Sequence, residues 1–183
     1  MRRTLLTSCL VLLATALAPA PLAAPAAAQQ QQANWTSFRS DEGGFSILFP
    51  AAPSRDEKPL PPGPGSPGRT VIFMAKASVG IWLAGLAEYD PNFKFGVQAE
   101  LDANRDNFLK GVGGTLLSSK PMTLGTAPGL EFTAEKPGQW FAKGRIFIVG
   151  RRPYQVLAMV GPQNAQSPEI DLFLGSLRVD GAN

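Results

Sequence analysis

Four apolar segments separated by short connectors fill the second half of the chain, and they constrain its fold more than any other feature. The segments cover residues 116–123, 130–135, 140–149 and 154–160, and the connectors contain Gly and Pro. Runs rich in β-branched and aromatic residues that are bounded by turn residues are typical of strands. Because a parallel return needs a crossover of a dozen or more residues, connectors this short impose antiparallel neighbours. The sequence therefore predicts an antiparallel sheet.

Two of these strands are apolar at consecutive positions, at 146–149 and 156–160. A strand that faces water on one side alternates apolar and polar residues, so a continuous apolar run indicates that both faces are covered. Two segments with helical spacing could supply that cover. Residues 95–110 form the first predicted helix, and the second follows Ser167, which we predict as its N-cap. The apolar positions are Val97, Leu101, Phe108 and Val112 in the first, and Ile170, Phe173, Leu174 and Leu177 in the second.

The first half of the mature chain adds more strands. Residues 45–49 alternate in polarity, and residues 70–76 and 81–89 read as a β-hairpin. Residues 59–68 contain five prolines and three glycines, which predicts an exposed loop. The predicted fold class is α+β, an antiparallel sheet of about six to seven strands with helices on its faces, an α/β/α sandwich. A single domain is expected to span residues 35–180.

The N-terminus has the pattern of a bacterial signal peptide. Arg2 and Arg3 precede an apolar run at 5–18, and small residues lead to a predicted cleavage after Ala28. Residues 1–28 are therefore predicted to be the signal peptide and residues 29–34 a flexible lead-in. We expect a periplasmic or secreted protein with no transmembrane segment after cleavage.

Composition excludes several kinds of chemistry. The chain has no histidine, which removes imidazole bases and His-based metal sites. Its one cysteine, Cys9, lies in the leader. Cleavage would leave 155 residues with 15 basic and 14 acidic side chains, too balanced for a nucleic-acid-binding protein. The glycines at 63, 65 and 68 match a dinucleotide fingerprint, but a strand follows them instead of a helix. We expect no cofactor, no metal and no catalytic residue.

Charged residues in the predicted strands remain candidates for a functional site. Glu131 and Arg145 each interrupt an apolar strand. Glu131 could be a site carboxylate on the sheet, but we favour a cross-strand ion pair or two edge-facing side chains. A second candidate is a basic patch for an anion or a partner, although a charged turn next to core aromatics is the favoured interpretation. The patch would comprise Lys143, Arg145, Arg151 and Arg152 beside Trp140 and Tyr154.

The acidic residues of the first predicted helix are the third candidate. Glu100, Asp102 and Asp106 could form paired carboxylates. Asp106 and Lys110 are four residues apart and Arg105 is adjacent, so we favour an ordinary solvated helix face.

The order of several short signatures resembles the PsbP-like superfamily, which includes the plastid PsbP subunit of photosystem II and small exported bacterial proteins. The signatures are found at 35–38, 44–50, 124–132, 145–154 and 173–177. The resemblance covers about Trp35 to Val179, and the loop at 59–68 looks like an insertion. It implies an antiparallel sheet with helices on its faces. It also implies a non-enzymatic accessory or docking protein on the outer side of a membrane.

Three functional hypotheses follow. The first is a non-enzymatic exported accessory or docking protein with a protein partner in the envelope. The alternative is a periplasmic carrier that holds a small apolar ligand between the sheet and the 95–110 helix. The second alternative is a hydrolase that uses carboxylates, with Glu131 as its best candidate.

Overall fold

The computed structural model describes residues 35–59, 67–77 and 79–182. The predicted signal peptide and lead-in lie outside the described residues, as does most of the predicted loop at 59–68. The described strands reach into both ends of that loop, because one ends at Pro59 and the next begins at Pro67.

Ten strands and two α-helices lie within these described ranges, and all the strand pairs are antiparallel. The helices are α1 (Val97–Val112) and α2 (Pro168–Gly175). The strands are β1 (Thr36–Ser40), β2 (Phe45–Phe49), β3 (Ser54–Pro59), β4 (Pro67–Ala77), β5 (Gly80–Tyr89), β6 (Thr115–Leu124), β7 (Ala127–Lys136), β8 (Trp140–Val149), β9 (Arg152–Val160) and β10 (Arg178–Val179).

Seven of these strands form the large sheet, in the order β3-β4-β5-β9-β8-β7-β6. The predicted hairpin and the four predicted strands of the second half are all present in it, which confirms the α+β fold class. The edge strand β3 was not predicted. All six of its residues are exposed and most are charged, so it lacks the apolar alternation that reveals a strand.

A small sheet of order β1-β2-β10 packs over the large one, and the sequence did not predict it as a separate layer. Its closing strand is only two residues long, with Arg178 opposite Ser46 and Val179 opposite Phe45. Two residues carry no periodicity, so this pairing cannot be read from the sequence.

Both helices occur close to their predicted positions. Helix α1 spans 97–112 instead of 95–110 and ends at Gly113, whose φ of 64° suits glycine. Leu101 is buried as expected, but Val97 is 42% exposed because it lies at the start of the helix, outside the packed stripe. Ser167 caps α2 by accepting a hydrogen bond from the Glu169 backbone N–H.

Two apolar cores lie on opposite faces of the large sheet, as the consecutive apolar residues predicted. Ile146 and Ile148 face α1, whereas Phe147 faces the small sheet and α2. We call these sides the α1 face and the α2 face. The covers are offset: α1 packs mainly on β7 and β8, whereas the small sheet and α2 pack mainly on β4, β5 and β9. Each face is therefore left partly open, at opposite halves of the sheet.

Candidate functional site

A groove of about 440 Å³ lies between α1 and the open part of the α1 face. This is where the carrier alternative placed a ligand. Its volume falls within the roughly 300–1,000 Å³ that small-molecule sites occupy. We call it the α1 groove.

Apolar side chains form much of the floor of the α1 groove. Strands β4, β5 and β9 contribute Ile72, Leu83, Ala87 and Leu157, and α1 contributes the ring of Phe108. Ile72, Leu83 and Phe108 are only half-buried, because none of the described elements covers them from above. The groove therefore offers an apolar surface that a bound molecule could remove from water.

Gly85 keeps the floor of the groove open at β5. A Cβ atom at this position would lie 2.7 Å from the backbone oxygen of Val71 on the neighbouring strand. The close approach of β4 therefore requires glycine, and this part of the floor has no side chain.

One wall of the groove carries a carboxylate with a free oxygen. The Tyr89 hydroxyl donates to Oε1 of Glu100, and the Asn104 amide donates to the same oxygen over 2.5 Å. Within the described residues, Oε2 of Glu100 has no partner and no Lys or Arg pairs with the carboxylate. Burial, together with the neighbouring Glu100 carboxylate, raises the pKa of Tyr89, so its hydroxyl stays protonated. Because both hydrogen bonds go to Oε1, Oε2 of Glu100 remains available among the described residues as an acceptor in the groove.

Two amide side chains add further polar groups. Asn107 on α1 and Gln155 on β9 both line the groove, and neither amide has a hydrogen-bond partner among the described residues. Each offers a donor and an acceptor to a bound molecule. Glu100 is the one charged side chain among the described residues that line the groove.

The segment between β5 and α1 is anchored by Arg151. Its guanidinium donates to the backbone oxygens of Asp90 and Phe93 and lies 5.9 Å from the centre of the Phe95 ring. The Tyr89 ring packs against both phenylalanines, with 5.1 Å between ring centres in each pair. These contacts hold the start of α1 and so help to set the width of the groove.

The Glu131 and Arg145 side chains lie on the other face and form the predicted cross-strand ion pair. They are opposite each other in register, with Arg145 Nε 2.9 Å from Glu131 Oε2. Lys120 Nζ lies 2.9 Å and Lys143 Nζ 3.8 Å from Oε1. Burial opposes ionisation of this 6% exposed residue, but the hydrogen bonds from Lys120 and Arg145 and the charge of Lys143 outweigh it and lower its pKa. A carboxylate held in this way is a poor general acid at neutral pH.

The candidate basic patch is not assembled. Lys143 donates to Asp171 of α2 over 2.7 Å, and Arg152 pairs with Glu88 over 2.7 Å at the far end of the sheet. Tyr154 is buried, and its hydroxyl donates to the Gly43 backbone oxygen over 2.8 Å. Trp140 begins β8 at the end opposite the 150–152 turn. The residues therefore serve separate contacts: Arg151 and Arg152 lie at the turn, Lys143 and Arg145 form ion pairs along β8, and Tyr154 belongs to the core.

The acidic residues of α1 serve different purposes. Asp102 and Asp106 both pair with Arg105, at 2.9 and 2.8 Å, and the expected Lys110 partner is replaced by this arginine. Glu100 instead faces the α1 groove. Sequence reasoning missed Tyr89, Asn107 and Gln155, although Gln155 interrupts an apolar strand just as Glu131 does.

Two negative findings hold for the part of the chain that the structure describes. No group of three or more His, Cys, Asp or Glu side chains is arranged to hold a metal ion. No helix is both long enough and apolar enough to cross a membrane.

No protein-family model matches the sequence, and no curated protein matches it either. Among solved structures, the chain is similar to the solution structure of cyanobacterial PsbP (CyanoP) from Synechocystis sp. PCC 6803. The match has a TM-score of 0.56 and 9% sequence identity, and it covers 80% of this chain and 93% of CyanoP. The chain therefore has a PsbP-like fold.

Proposed function

We propose that the protein is a non-enzymatic accessory protein that acts by docking onto another protein in the cell envelope. The observation that carries this proposal is the PsbP-like fold, which spans 93% of CyanoP. The candidate chemistry points the same way, because Glu131, Asp102 and Asp106 are all engaged in ion pairs. No arrangement of these groups supports acid–base catalysis.

Export is part of the proposal. A signal peptide at 1–28 would place the mature chain in the periplasm or outside the cell. Mass spectrometry of the periplasmic fraction should find a chain that begins at Gln29. A full-length chain that stays in the cytoplasmic fraction would contradict export.

Photo-crosslinking in the native envelope tests the docking proposal. A photoreactive residue at Leu117, which is 50% exposed on the edge strand β6, or at Val97, which is 42% exposed, samples the exposed apolar positions. Lys58, exposed on the charged edge strand β3, is the control position. We expect one protein to be captured from an apolar position and not from Lys58. Recovery of the uncrosslinked monomer alone from all three positions would overturn the docking proposal.

The α1 groove favours a second function, that of a carrier for a small ligand. An apolar floor with unpaired polar groups beside it is the usual composition of a ligand site. Native mass spectrometry of protein isolated gently from the envelope should show a bound small molecule. A ligand-free mass in every preparation, together with no binding of added amphiphiles, would contradict this second function.

A further inference from the structure

The α1 groove has a charge pattern that selects among ligands. Its lining contains the Glu100 carboxylate and no Lys or Arg among the described residues. Oε2 of that carboxylate has no partner in the described part of the chain, since both hydrogen bonds from Tyr89 and Asn104 go to Oε1. An anionic head group would meet this charge without a compensating cation.

Aromatic rings reinforce the preference for positive charge. Tyr89, which bonds to Glu100, and Phe108 both line the groove. The faces of such rings attract ammonium groups, and the attraction grows when the site is partly desolvated. The apolar floor beside them suits a hydrocarbon body. The Asn107 and Gln155 amides can bond to a polar group along it.

We propose that the α1 groove binds a small cationic amphiphile, with its positively charged nitrogen beside Oε2 of Glu100 and its apolar body on the floor formed by β4, β5 and β9. This inference rests on the carrier function and adds the class of ligand. Glu100 selects the head group, and the apolar floor supplies most of the affinity.

Three probes with the same ten-carbon alkyl tail test the proposal: decyltrimethylammonium, decanol and undecanoate, whose carboxyl carbon follows the tenth carbon. Binding to the full chain is measured by calorimetry, below the micellar concentration of the two ionic probes and below the solubility limit of decanol. We expect decyltrimethylammonium to bind at least about tenfold more tightly than undecanoate, the scale of one partly desolvated charge pair. Glu100→Gln keeps an acceptor oxygen for Tyr89 and Asn104. It should abolish the preference for the cation over the anion, because the groove then carries no charge that distinguishes them.

Variants on α1 locate the binding site. Ala103 is exposed and lines the groove, so Ala103→Phe should fill it and abolish binding of decyltrimethylammonium. Ala99→Phe is the matched control, because Ala99 is an exposed residue of the same helix outside the groove lining. It should bind as the parent chain does. Asn107→Phe fills the groove from another exposed position and replaces Ala103→Phe if circular dichroism shows that the latter does not fold.

The outcomes separate the ligand class from the carrier function. Equal binding of the three probes, or a cation preference that survives Glu100→Gln, would overturn the cationic head group but leave a carrier of apolar molecules. Binding of all probes that is unaffected by Ala103→Phe and Asn107→Phe would overturn the groove as the site, and with it the carrier function. The docking proposal is independent of all these results.

Discussion

Replacement of Glu131 by glutamine should destabilise the protein substantially. The carboxylate is 6% exposed and receives Arg145 and Lys120 at 2.9 Å each, with Lys143 at 3.8 Å. Hydrogen bonds to charged groups contribute about 1.5–3 kcal/mol, and breaking a buried ion pair costs about 3–5 kcal/mol. Lys120 is 69% exposed, so solvent screens much of its contribution to the stability of this cluster. Glutamine keeps the volume and one acceptor, which gives an expected loss of about 2–4 kcal/mol.

Chemical denaturation monitored by tryptophan fluorescence measures this loss at neutral pH. For a domain of this size, in which each kcal/mol shifts Tm by about 2–4 °C, the loss corresponds to a fall in Tm of roughly 4–16 °C. Glu135→Gln is the matched control: the same substitution on β7, at a residue with no ion pair among those described. Its effect should stay within about 0.5 kcal/mol. Equal stabilities of the two variants would refute the reasoning.

The same variant predicts a pH dependence. Because the folded-state pKa of Glu131 lies below its ordinary value of 4.5, its stabilisation is fully present above pH 4.5. The stabilisation is lost as the pH falls through the lowered folded-state pKa. The stability difference between the parent chain and Glu131→Gln should therefore shrink in acid. A difference that is unchanged at about pH 2 would show that it arises from packing and not from charge.

Three further changes probe contacts on the two faces of the large sheet. Gly144→Ala should cost about 1–3 kcal/mol in a denaturant titration, because its Cβ would lie 2.6 Å from the buried Phe132 ring; a neutral result would contradict this packing. Tyr154→Phe should cost about 1–2 kcal/mol by the same measurement, since it leaves the buried Gly43 carbonyl without its hydroxyl donor; an unchanged midpoint would show that the bond contributes nothing. Arg151→Ala should speed amide hydrogen exchange in residues 90–96 while leaving β7 and β8 protected; unchanged exchange there would mean that the arginine does not anchor the segment.

Most of the large sheet could be predicted, because the residues that indicate its strands lie within the strands themselves and in the short connectors between them. In β8, Ile146, Phe147 and Ile148 are consecutive apolar residues. Ile146 and Ile148 pack into the core on the α1 face, and Phe147 packs into the core on the α2 face. Short connectors fix antiparallel neighbours without any knowledge of distant contacts. The cap at Ser167 is equally local, because the capping oxygen and the N–H it accepts are two residues apart.

The small sheet depends on contacts between distant parts of the chain. Strand β10 pairs with β2, although more than 130 residues separate Val179 from Phe45. Strand β3 of the large sheet is a similar case. It pairs with β4, but no residue within β3 indicates that pairing. Neither pairing produces a pattern within its own segment, so periodicity could not reveal them.

The lining of the groove escaped prediction for a related reason. Its residues come from separate segments of the chain between Thr70 and Leu157, and its width depends on where α1 lies across the sheet. That position is set by the Leu101 contact with the α1-face core and by the Arg151 contacts with the segment before the helix. The sequence placed a ligand between this helix and the sheet, but it could not specify Tyr89, Asn107 or Gln155 as lining residues.

The offset between the two covers leaves two open regions, and their chemistry distinguishes them. On the α2 face, Glu131 is surrounded by Lys120, Lys143 and Arg145, so the charges of that region satisfy one another. On the α1 face, Glu100 has no cationic partner among the described residues, although it adjoins an apolar floor. Covering that floor with any molecule would desolvate an unpaired carboxylate, which costs free energy unless the molecule brings its own positive charge. The charges of the α2-face region are therefore satisfied by one another, whereas Glu100 on the α1 face keeps an oxygen without a cationic partner among the described residues, and this difference is the basis of the proposed cationic ligand.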